Sequence, residues 1–322
     1  MRTAFALAVE DLAARDPRVC LLTGDLGFSV LEPFARRFPE RFLNAGVAEQ
    51  NMTGLAVGMA LSGKIVFTYS IANFPTLRCL EQLRNDACYH GASVKVVSVG
   101  AGFSYGALGV SNHATEDIAV MRALPGMTVV CPASPLEAAH ATGAVAAAPG
   151  PCYLRLGKAG EAELHPGPIS FELGKALALR EGRDLAILSC GSILKPCLEA
   201  AKALESRGLS TRVLSMHTVK PVDREAVLAA AAETRAVLSV EEHCVVGGLG
   251  SAVAEVLAQD SPRRVPFRIL GIPDGFCRKV WSQDFLRKAC GLSAEGIASA
   301  ALGLLSAGES GGRRPRGRGA RR

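Results

Sequence analysis

Short, unbroken apolar runs alternate with longer helical patterns along most of the chain, and this alternation constrains the fold more than any other feature. Runs rich in Val, Ile and Leu predict β-strands at residues 19–22, 65–69, 94–99 and 128–131. Between these runs, helices are predicted at residues 46–61, 75–89 and 135–147. Strands without polar alternation are buried on both faces, which is typical of a parallel sheet covered by helices.

A second series of the same kind follows a segment rich in turn-forming residues. Residues 156–172 contain Gly, Pro and Ser without a helical or strand period. Strands are then predicted at 185–189, 211–215, 236–240 and 267–270, separated by helices at 193–206, 223–232 and 251–257. The 49% hydrophobic content is enough for a core in each half. We therefore predict an α/β protein of two consecutive parallel-sheet domains, 1–158 and 174–306, with a linker at 159–173.

The charge of the chain is concentrated at its C-terminal end. Six of the 36 basic residues are arginines within residues 313–322, and the other 30 balance the 30 acidic residues. The rest of the chain is neutral, so we expect no specific nucleic-acid-binding surface on it. Residues 307–322 are rich in Gly and Arg, and we expect them to form a disordered tail because they cannot bury apolar area.

Cysteine spacing and the lengths of the apolar runs indicate a reduced, aqueous compartment. The ten cysteines include no Cys-x-x-Cys pair, which argues against zinc ribbons and redox dithiols. The N-terminal segment carries Glu10 and Asp11 within its apolar pattern and does not resemble a signal peptide. The apolar runs fall short of the ~20 residues that a membrane span needs. We expect a cytoplasmic protein with no membrane partner.

Two glycine-rich loops follow predicted strands but lack the spacing of nucleotide-binding motifs. In residues 100–106, Tyr105 stands where a dinucleotide fingerprint requires its third glycine. Residues 247–250 lack the Gly-Lys-Ser/Thr of a P-loop. We interpret both loops as structural turns.

Glu49 is an acidic residue on the apolar side of a predicted helix, where it shares a stripe with Met52, Leu55 and Met59. A buried carboxylate without a partner is costly, so it would be protonated or hydrogen-bonded to a group supplied from elsewhere. The alternative is a first-turn glutamate that stabilises the helix N-terminus by ~0.3–1 kcal/mol. The pattern alone does not separate these interpretations.

The residues around Glu49 do separate them. The segment Asn-Ala-Gly-Val-Ala-Glu-Gln-Asn-Met at residues 44–52 resembles the part of the transketolase family that carries the glutamate activating thiamine diphosphate. Segments at residues 16–25, 69–74, 111–127 and 220–223 also resemble family blocks, and they follow one another in family order. The resemblance covers about residues 1–305 and implies the pyrimidine-binding and C-terminal domains of a transketolase.

One motif of the family is missing. In transketolases another domain binds the diphosphate and magnesium through a Gly-Asp-Gly motif, which does not occur in this sequence. The resemblance therefore implies one half of a split transketolase, whose partner subunit carries the N-terminal half and the Mg²⁺ site. It also implies an α2β2 heterotetramer with thiamine diphosphate lying across the subunit interface. We assign no metal ligand to this chain.

The resemblance implies roles for several residues. Glu49 would hydrogen-bond to a ring nitrogen of the aminopyrimidine and favour the tautomer whose exocyclic nitrogen takes the thiazolium proton. Phe74, directly before Pro75, would pack against the pyrimidine ring; the alternative is an ordinary core phenylalanine. Leu77 occupies a cofactor-contact position where many transketolases have a second aromatic residue.

His113 lies in a polar loop from which a side chain could project into a cleft. The resemblance implies that it faces the bound substrate and polarises or protonates its oxygens; the alternative is a solvated or capping histidine. Asn112 beside it is a candidate substrate contact. Leu108 stands near the place where sugar-transferring members have an acidic residue, which leaves the stereoselectivity open.

Arg155 and Lys158 lie at the end of the first domain, near the carboxyl end of a strand, where ligands of parallel sheets gather. Both could bind a substrate phosphate or carboxylate. A structural salt bridge explains them equally well, so the two assignments are provisional.

The resemblance implies an enzyme of carbohydrate metabolism that transfers a two-carbon ketol or related acyl unit from a ketose or 2-oxo donor to an aldehyde. One alternative is the β subunit of the decarboxylating component of a 2-oxo-acid dehydrogenase complex, although residues 116–122 favour a transketolase. Another is a non-catalytic subunit that stabilises or regulates its partner. The joint presence of Glu49, Phe74 and His113 argues against that alternative.

Overall fold

The computed structural model describes residues 1–261 and 263–311 and contains two β-sheets with helices packed on them. The N-terminal half has helices α1 (Arg2–Arg15), α2 (Glu32–Arg37), α3 (Glu49–Leu61), α4 (Leu80–Gln82), α5 (Asp117–Ala123) and α6 (Pro135–Ala147). Its strands are β1 (Val19–Thr23), β2 (Phe42–Asn44), β3 (Ile65–Ile71), β4 (Val94–Val99), β5 (Thr128–Val130) and β6 (Cys152–Leu156).

The C-terminal half repeats this alternation of strands and helices. Its strands are β7 (Leu177–Arg180), β8 (Leu185–Cys190), β9 (Thr211–Ser215), β10 (Thr218–Lys220), β11 (Ala236–Cys244) and β12 (Phe267–Ile272). Its helices are α7 (Leu194–Glu205), α8 (Arg224–Glu233), α9 (Leu249–Asp260), α10 (Gln283–Ala289) and α11 (Ala294–Gly311). The predicted α/β class with two parallel-rich sheets is confirmed.

Both sheets are parallel in the middle and gain an antiparallel strand at one edge. The first has the order β10-β5-β6-β4-β3-β1-β2, and only β10 runs against its neighbour. The second has the order β12-β11-β8-β9-β7, and β7 is antiparallel to β9. Strand β10 comes from the C-terminal half, so the first sheet crosses the predicted domain boundary. With three residues each, β2 and β10 are too short to show a period in the sequence.

One contiguous apolar core joins the two halves. It includes Met52 and Ile118 from the first half, together with Val219, Val227 and Leu249 from the second. Two further cores lie on the outer faces of the sheets. Since the shared core is apolar and continuous, the halves hold the loops between them in a defined arrangement.

The helix predicted at residues 75–89 is irregular in the structure. A 3-10 turn at Leu77–Cys79 leads into the single turn of α4, which continues as a π-helix at Leu83–Cys88. Such π-turns are often found at functional sites. The apolar spacing predicted the helical path correctly, but it could not show how tightly each turn is wound.

The linker predicted at 159–173 contains no helix or strand, and it is held to the first half by polar contacts. The amino group of Met1 donates to Glu161 over 2.7 Å, and His165 Nε2 lies 2.8 Å from Glu137 Oε1. The linker therefore has a defined path over the surface.

By length and composition alone, the segment 283–307 is long and apolar enough to cross a membrane. The apolar runs considered in the sequence analysis did not include this segment. The chain turns between α10 and α11, and Ile297 and Ala301 are buried in the core of the second half. This is the packing of an amphipathic core helix. Helix α11 continues to Gly311, and the rest of the predicted tail, 312–322, lies outside the described residues.

Candidate functional site

The site is built from loops at the carboxyl ends of β1, β2 and β3, which are adjacent in the first sheet. Asn44, at the end of β2, connects two of these loops. Its Oδ1 accepts hydrogen bonds from the backbone N–H groups of Asp25 (2.9 Å) and Gly46 (3.0 Å), and its Nδ2 donates to Asp25 Oδ1 (3.1 Å). These bonds hold the chain where it enters α3.

Glu49 is the first residue of α3, and only 3% of it is exposed. Its Oε2 accepts a hydrogen bond from Arg78 Nη1 over 3.0 Å, and its carbonyl oxygen accepts one from Thr53 Oγ1 over 2.9 Å. The sequence predicted a buried carboxylate that needs a partner. The structure supplies a partner from this chain, the guanidinium of Arg78.

Phe74 follows a sharp turn at the end of β3. Ala72 has a left-handed φ of 41°, which a residue with a Cβ adopts only when its surroundings hold it there. Its carbonyl oxygen accepts hydrogen bonds from Ser98 Oγ (2.8 Å) and Thr76 Oγ1 (3.2 Å). After this turn the ring of Phe74 faces Arg78, whose guanidinium carbon lies 4.2 Å from the ring centroid. Phe74, Arg78 and Glu49 thus form one cluster.

Leu77 is 41% exposed and lies on a neighbouring cleft of about 380 Å³. The cleft is completed by Glu116 and, from the second half, by residues 272–276. The structure therefore places Leu77 on the wall of this cleft, which Glu49, Phe74 and Arg78 do not line.

His113 differs from the expectation that it projects into a cleft, because it is only 2% exposed. The ring packs edge to face on Phe103, with centroids 5.2 Å apart, and Nε2 lies 3.3 Å from the carbonyl oxygen of Gly106. Its carbonyl oxygen accepts a hydrogen bond from Asn73 Nδ2 over 2.5 Å. The loop of His113 is therefore tied to the loop of Phe74, while a role of the imidazole toward substrate stays a prediction. Asn112 is half-buried, and its Oδ1 accepts from Ser111 Oγ.

Arg155 requires a correction, because its guanidinium is occupied by the protein. It is 3% exposed, and Nε donates to Asp117 Oδ2 over 2.7 Å. Nη2 donates to Asp117 Oδ1, to the carbonyl oxygen of Ala114 and to that of Glu242 in the second half. Burial alone would raise the pKa of Asp117, but the charge of Arg155 holds that pKa below its ordinary value. Of the two interpretations left open, the structural salt bridge is the one observed.

Lys158 remains available to a ligand. It is exposed just beyond β6, and its Nζ lies 4.9 Å from the ring centroid of Tyr105. A cation in this position, beside the loop at 100–106, could meet an anionic group at the carboxyl edge of the sheet.

The cluster fits a flat heterocycle with a hydrogen-bonding edge. Phe74 offers an aromatic face, and Glu49 offers a carboxylate that Arg78 joins to it. Asn73 adds an unused acceptor: its Oδ1 is buried and has no hydrogen-bond partner among the residues that the structure describes. A stacking face and a carboxylate are the groups that the resemblance implies for the aminopyrimidine of thiamine diphosphate. Residues 1–261 and 263–311 contain no group of three His, Cys, Asp or Glu side chains that could hold a metal ion.

Sequence reasoning missed Arg78 and Asn73. Arg78 lies four residues after Phe74, a spacing that brings two side chains together on a helix, so a signal was present. Asn73 had no such signal, because its role depends on a loop forty residues further along the chain.

Comparison with known families gives two matches that together span most of the chain. The profile described as "Transketolase, pyrimidine binding domain" matches residues 1–160, and "Transketolase, C-terminal domain" matches residues 174–297.

Two relatives agree with these matches. The chain is 38% identical over 303 residues to an apulose-4-phosphate transketolase subunit of Phocaeicola vulgatus, covering 94% of this chain and 96% of that protein. It is 38% identical over 302 residues to a 6-deoxy-6-sulfo-D-fructose transketolase subunit of a Clostridium species, covering 94% of this chain and 93% of the other.

Solved structures show the same fold. One described as "Split gene transketolase, inactive beta4 tetramer" superimposes with a TM-score of 0.86 at 39% identity, covering 95% of this chain and 97% of that one. The transketolase of Campylobacter jejuni superimposes with a TM-score of 0.79 at 19% identity, covering 94% of this chain and 46% of that one, and supports the fold alone.

Proposed function

The chain belongs to the transketolase family, and we propose that it is the pyrimidine-binding subunit of a split transketolase whose active site is completed by a partner subunit. The observation that carries this proposal is the buried carboxylate of Glu49, which Arg78 joins to the aromatic ring of Phe74 by contacting both. The reaction is the transfer of a two-carbon ketol or related acyl unit from a ketose or 2-oxo donor to an aldehyde.

Thiamine diphosphate, when bound, supplies the electron sink for breaking and forming carbon–carbon bonds. Glu49 serves this chemistry by holding a proton at a carboxylate oxygen against a ring nitrogen of the pyrimidine. Phe74 orients the ring by stacking, and Asn73 Oδ1 offers an acceptor nearby. The apolar environment of α3 excludes water from the carboxylate, which strengthens each of these interactions.

The diphosphate and magnesium belong to the partner in this proposal. The sequence lacks the Gly-Asp-Gly motif, and the described residues hold no metal-binding cluster. The structure described as an inactive β4 tetramer of a split gene transketolase supports the view that this half does not suffice for activity. We propose an α2β2 assembly with the cofactor lying across the interface.

The substrate class follows from the two relatives. Their names specify a sugar phosphate and a sulfo-sugar, both of which carry an anionic group at one end. We propose a sugar or 2-oxo donor with such a group, and Lys158 as the cation that meets it. The free thiols of all ten cysteines are consistent with a role in cytoplasmic carbohydrate metabolism.

Reconstitution tests the proposal. The chain, its N-terminal-half partner and the mixture are titrated with thiamine diphosphate and Mg²⁺ by calorimetry, and the mixture is assayed for ketol transfer to aldehydes. We expect tight cofactor binding and turnover for the mixture only. Tight cofactor binding by the partner alone, or turnover that requires a lipoyl acceptor, would contradict it; the second result would favour the dehydrogenase alternative.

A further inference from the structure

Arg78 makes two contacts that together resemble those of a bound heterocycle. Its guanidinium lies 4.2 Å from the centroid of the Phe74 ring, and its Nη1 donates to Glu49 Oε2 over 3.0 Å. A guanidinium is planar and delocalised, so it can stack on an aromatic face while it donates N–H groups from its edge. In the proposed function an aminopyrimidine also stacks on the ring of Phe74 and hydrogen-bonds to the carboxyl group of Glu49.

We propose that Arg78 is a displaceable substitute for the pyrimidine ring, which holds Glu49 and Phe74 in their binding arrangement until the cofactor arrives and then moves out. This inference rests on the proposed function and adds a step to it. Two flat groups cannot occupy one face of Phe74 together, so cofactor binding competes with the Arg78–Glu49 ion pair. The free energy of that pair therefore lowers the apparent affinity for the cofactor.

The surroundings of the pair suit such an exchange. The side chain of Arg78 is 48% exposed, whereas that of Glu49 is 3% exposed, so the arginine has open solvent beside it and the carboxylate does not. Arg78 is also in a short 3-10 turn followed by irregular helix, while Glu49 begins a regular helix of 13 residues. The partner that can turn out into solvent is thus the cation. Without Arg78 the buried carboxylate of Glu49 would have no partner in the free chain, which is costly. Arg78 avoids this cost until the cofactor binds.

Calorimetry on the complex reconstituted with its partner tests the competition, with thiamine diphosphate and Mg²⁺ as the titrant. We expect Arg78→Ala to lower the Kd for the cofactor about three- to fivefold, because no ion pair has to be broken. Arg78→Lys keeps the charge but lacks the flat fork, so its Kd should fall between the two. Arg84→Ala is the matched control, since Arg84 is exposed on the same irregular segment and donates to Asn85. An unchanged or higher Kd for Arg78→Ala overturns the inference.

Thermal unfolding of the free chain provides a second readout that does not require the partner. Arg78→Ala should lower the melting temperature of the free chain, and it should have no such effect in a Glu49→Gln background. Equal effects in both backgrounds would show that the two side chains are not coupled and would overturn the inference.

The two proposals fail in different ways. If Glu49→Gln leaves cofactor binding by the complex unchanged, the proposed function of the site is wrong. If Glu49→Gln weakens binding while Arg78→Ala does not strengthen it, the site is correct and only the role of Arg78 is wrong.

Discussion

Two arginine–carboxylate pairs lie near the same edge of the first sheet, and they differ in how completely the protein encloses them. Glu49 and Asp117 are each the first residue of a helix. The side chain of the arginine paired with Asp117 is 2% exposed and binds the backbone on both sides of the domain boundary, whereas the side chain of the arginine paired with Glu49 is 48% exposed. The hydroxyl group of Tyr153 also donates a hydrogen bond to Asp117, so this carboxylate is bound by both Tyr153 and Arg155.

The two pairs contain the same residue types at similar positions and differ in enclosure, and we propose that this difference separates a structural ion pair from one that can exchange partners. All contacts of the Asp117–Arg155 pair are internal, so its role is to hold the loops of the two halves together. The Glu49–Arg78 pair is enclosed on the carboxylate side only, which leaves a group ready to bind another partner. The following predictions test this contrast.

The largest effect is expected at Glu49. In the reconstituted enzyme, Glu49→Gln should lower kcat by about 10²–10⁴-fold, because the amide cannot hold a proton against the pyrimidine. Its melting temperature should stay close to that of the wild type. Glu40→Gln, at an exposed glutamate, is the control and should keep full activity. Near-normal turnover of Glu49→Gln would remove the assignment.

The next largest effect is a loss of stability when the buried Asp117–Arg155 pair is broken. Arg155→Ala should cost about 3–5 kcal/mol of unfolding free energy, because it leaves Asp117 charged and buried without its partner. Arg78→Ala should cost about 1 kcal/mol or less, since one side of that pair is open to water. Urea unfolding of the free chain measures both. Equal losses would show that enclosure does not distinguish the two pairs.

A smaller effect is expected for the exposed cation at the end of β6. Lys158→Gln should raise KM for an anionic donor by about three- to tenfold while kcat changes little, because it removes binding that is the same in ground and transition states. Lys64→Gln is the control, since Lys64 is exposed before β3, at the opposite end of the strands. A drop in kcat with unchanged KM would assign Lys158 a different role.

The smallest effect is a pH dependence of stability from a third ion pair. The hydrogen bond to Glu137 raises the pKa of His165 above its ordinary value of 6.5 and outweighs the opposing effect of burial. A histidine with a raised pKa stabilises the folded state fully below pH 6.5 and loses that contribution as the pH rises through its folded-state pKa. The melting temperature of the wild type should therefore exceed that of His165→Gln at pH 5.5 and approach it near pH 9. A constant difference across this range would contradict the prediction.

Much of the fold could be predicted because its signals are local. Unbroken apolar runs marked the central strands, and the residues around position 49 indicated both the family and the buried carboxylate. Strand β10 could not be predicted, since three residues have no period and its partner β5 lies almost ninety residues earlier. The winding of the chain at 77–88 was also beyond reach, because packing against neighbouring elements decides it.

The site was predicted in part, because some of its residues also lie in segments with local sequence signals. Glu49 and Phe74 belong to segments that resemble the family, and the structure places them in one cluster through Arg78. For Arg155 the sequence left a substrate contact and a structural salt bridge open, and only the structure shows the salt bridge, because its partners come from residues 114, 117 and 242.

The sequence by itself determined that this chain forms two α/β units with an acidic residue at the start of a buried helix, because periodicity and motifs depend on neighbours along the chain. Only the tertiary structure decided that Arg78 pairs with this carboxylate, that Arg155 is buried, and that strand β10 of the second half joins the first sheet. The physical reason is that burial and pairing depend on distances in space between residues far apart in sequence, and no local pattern carries that information.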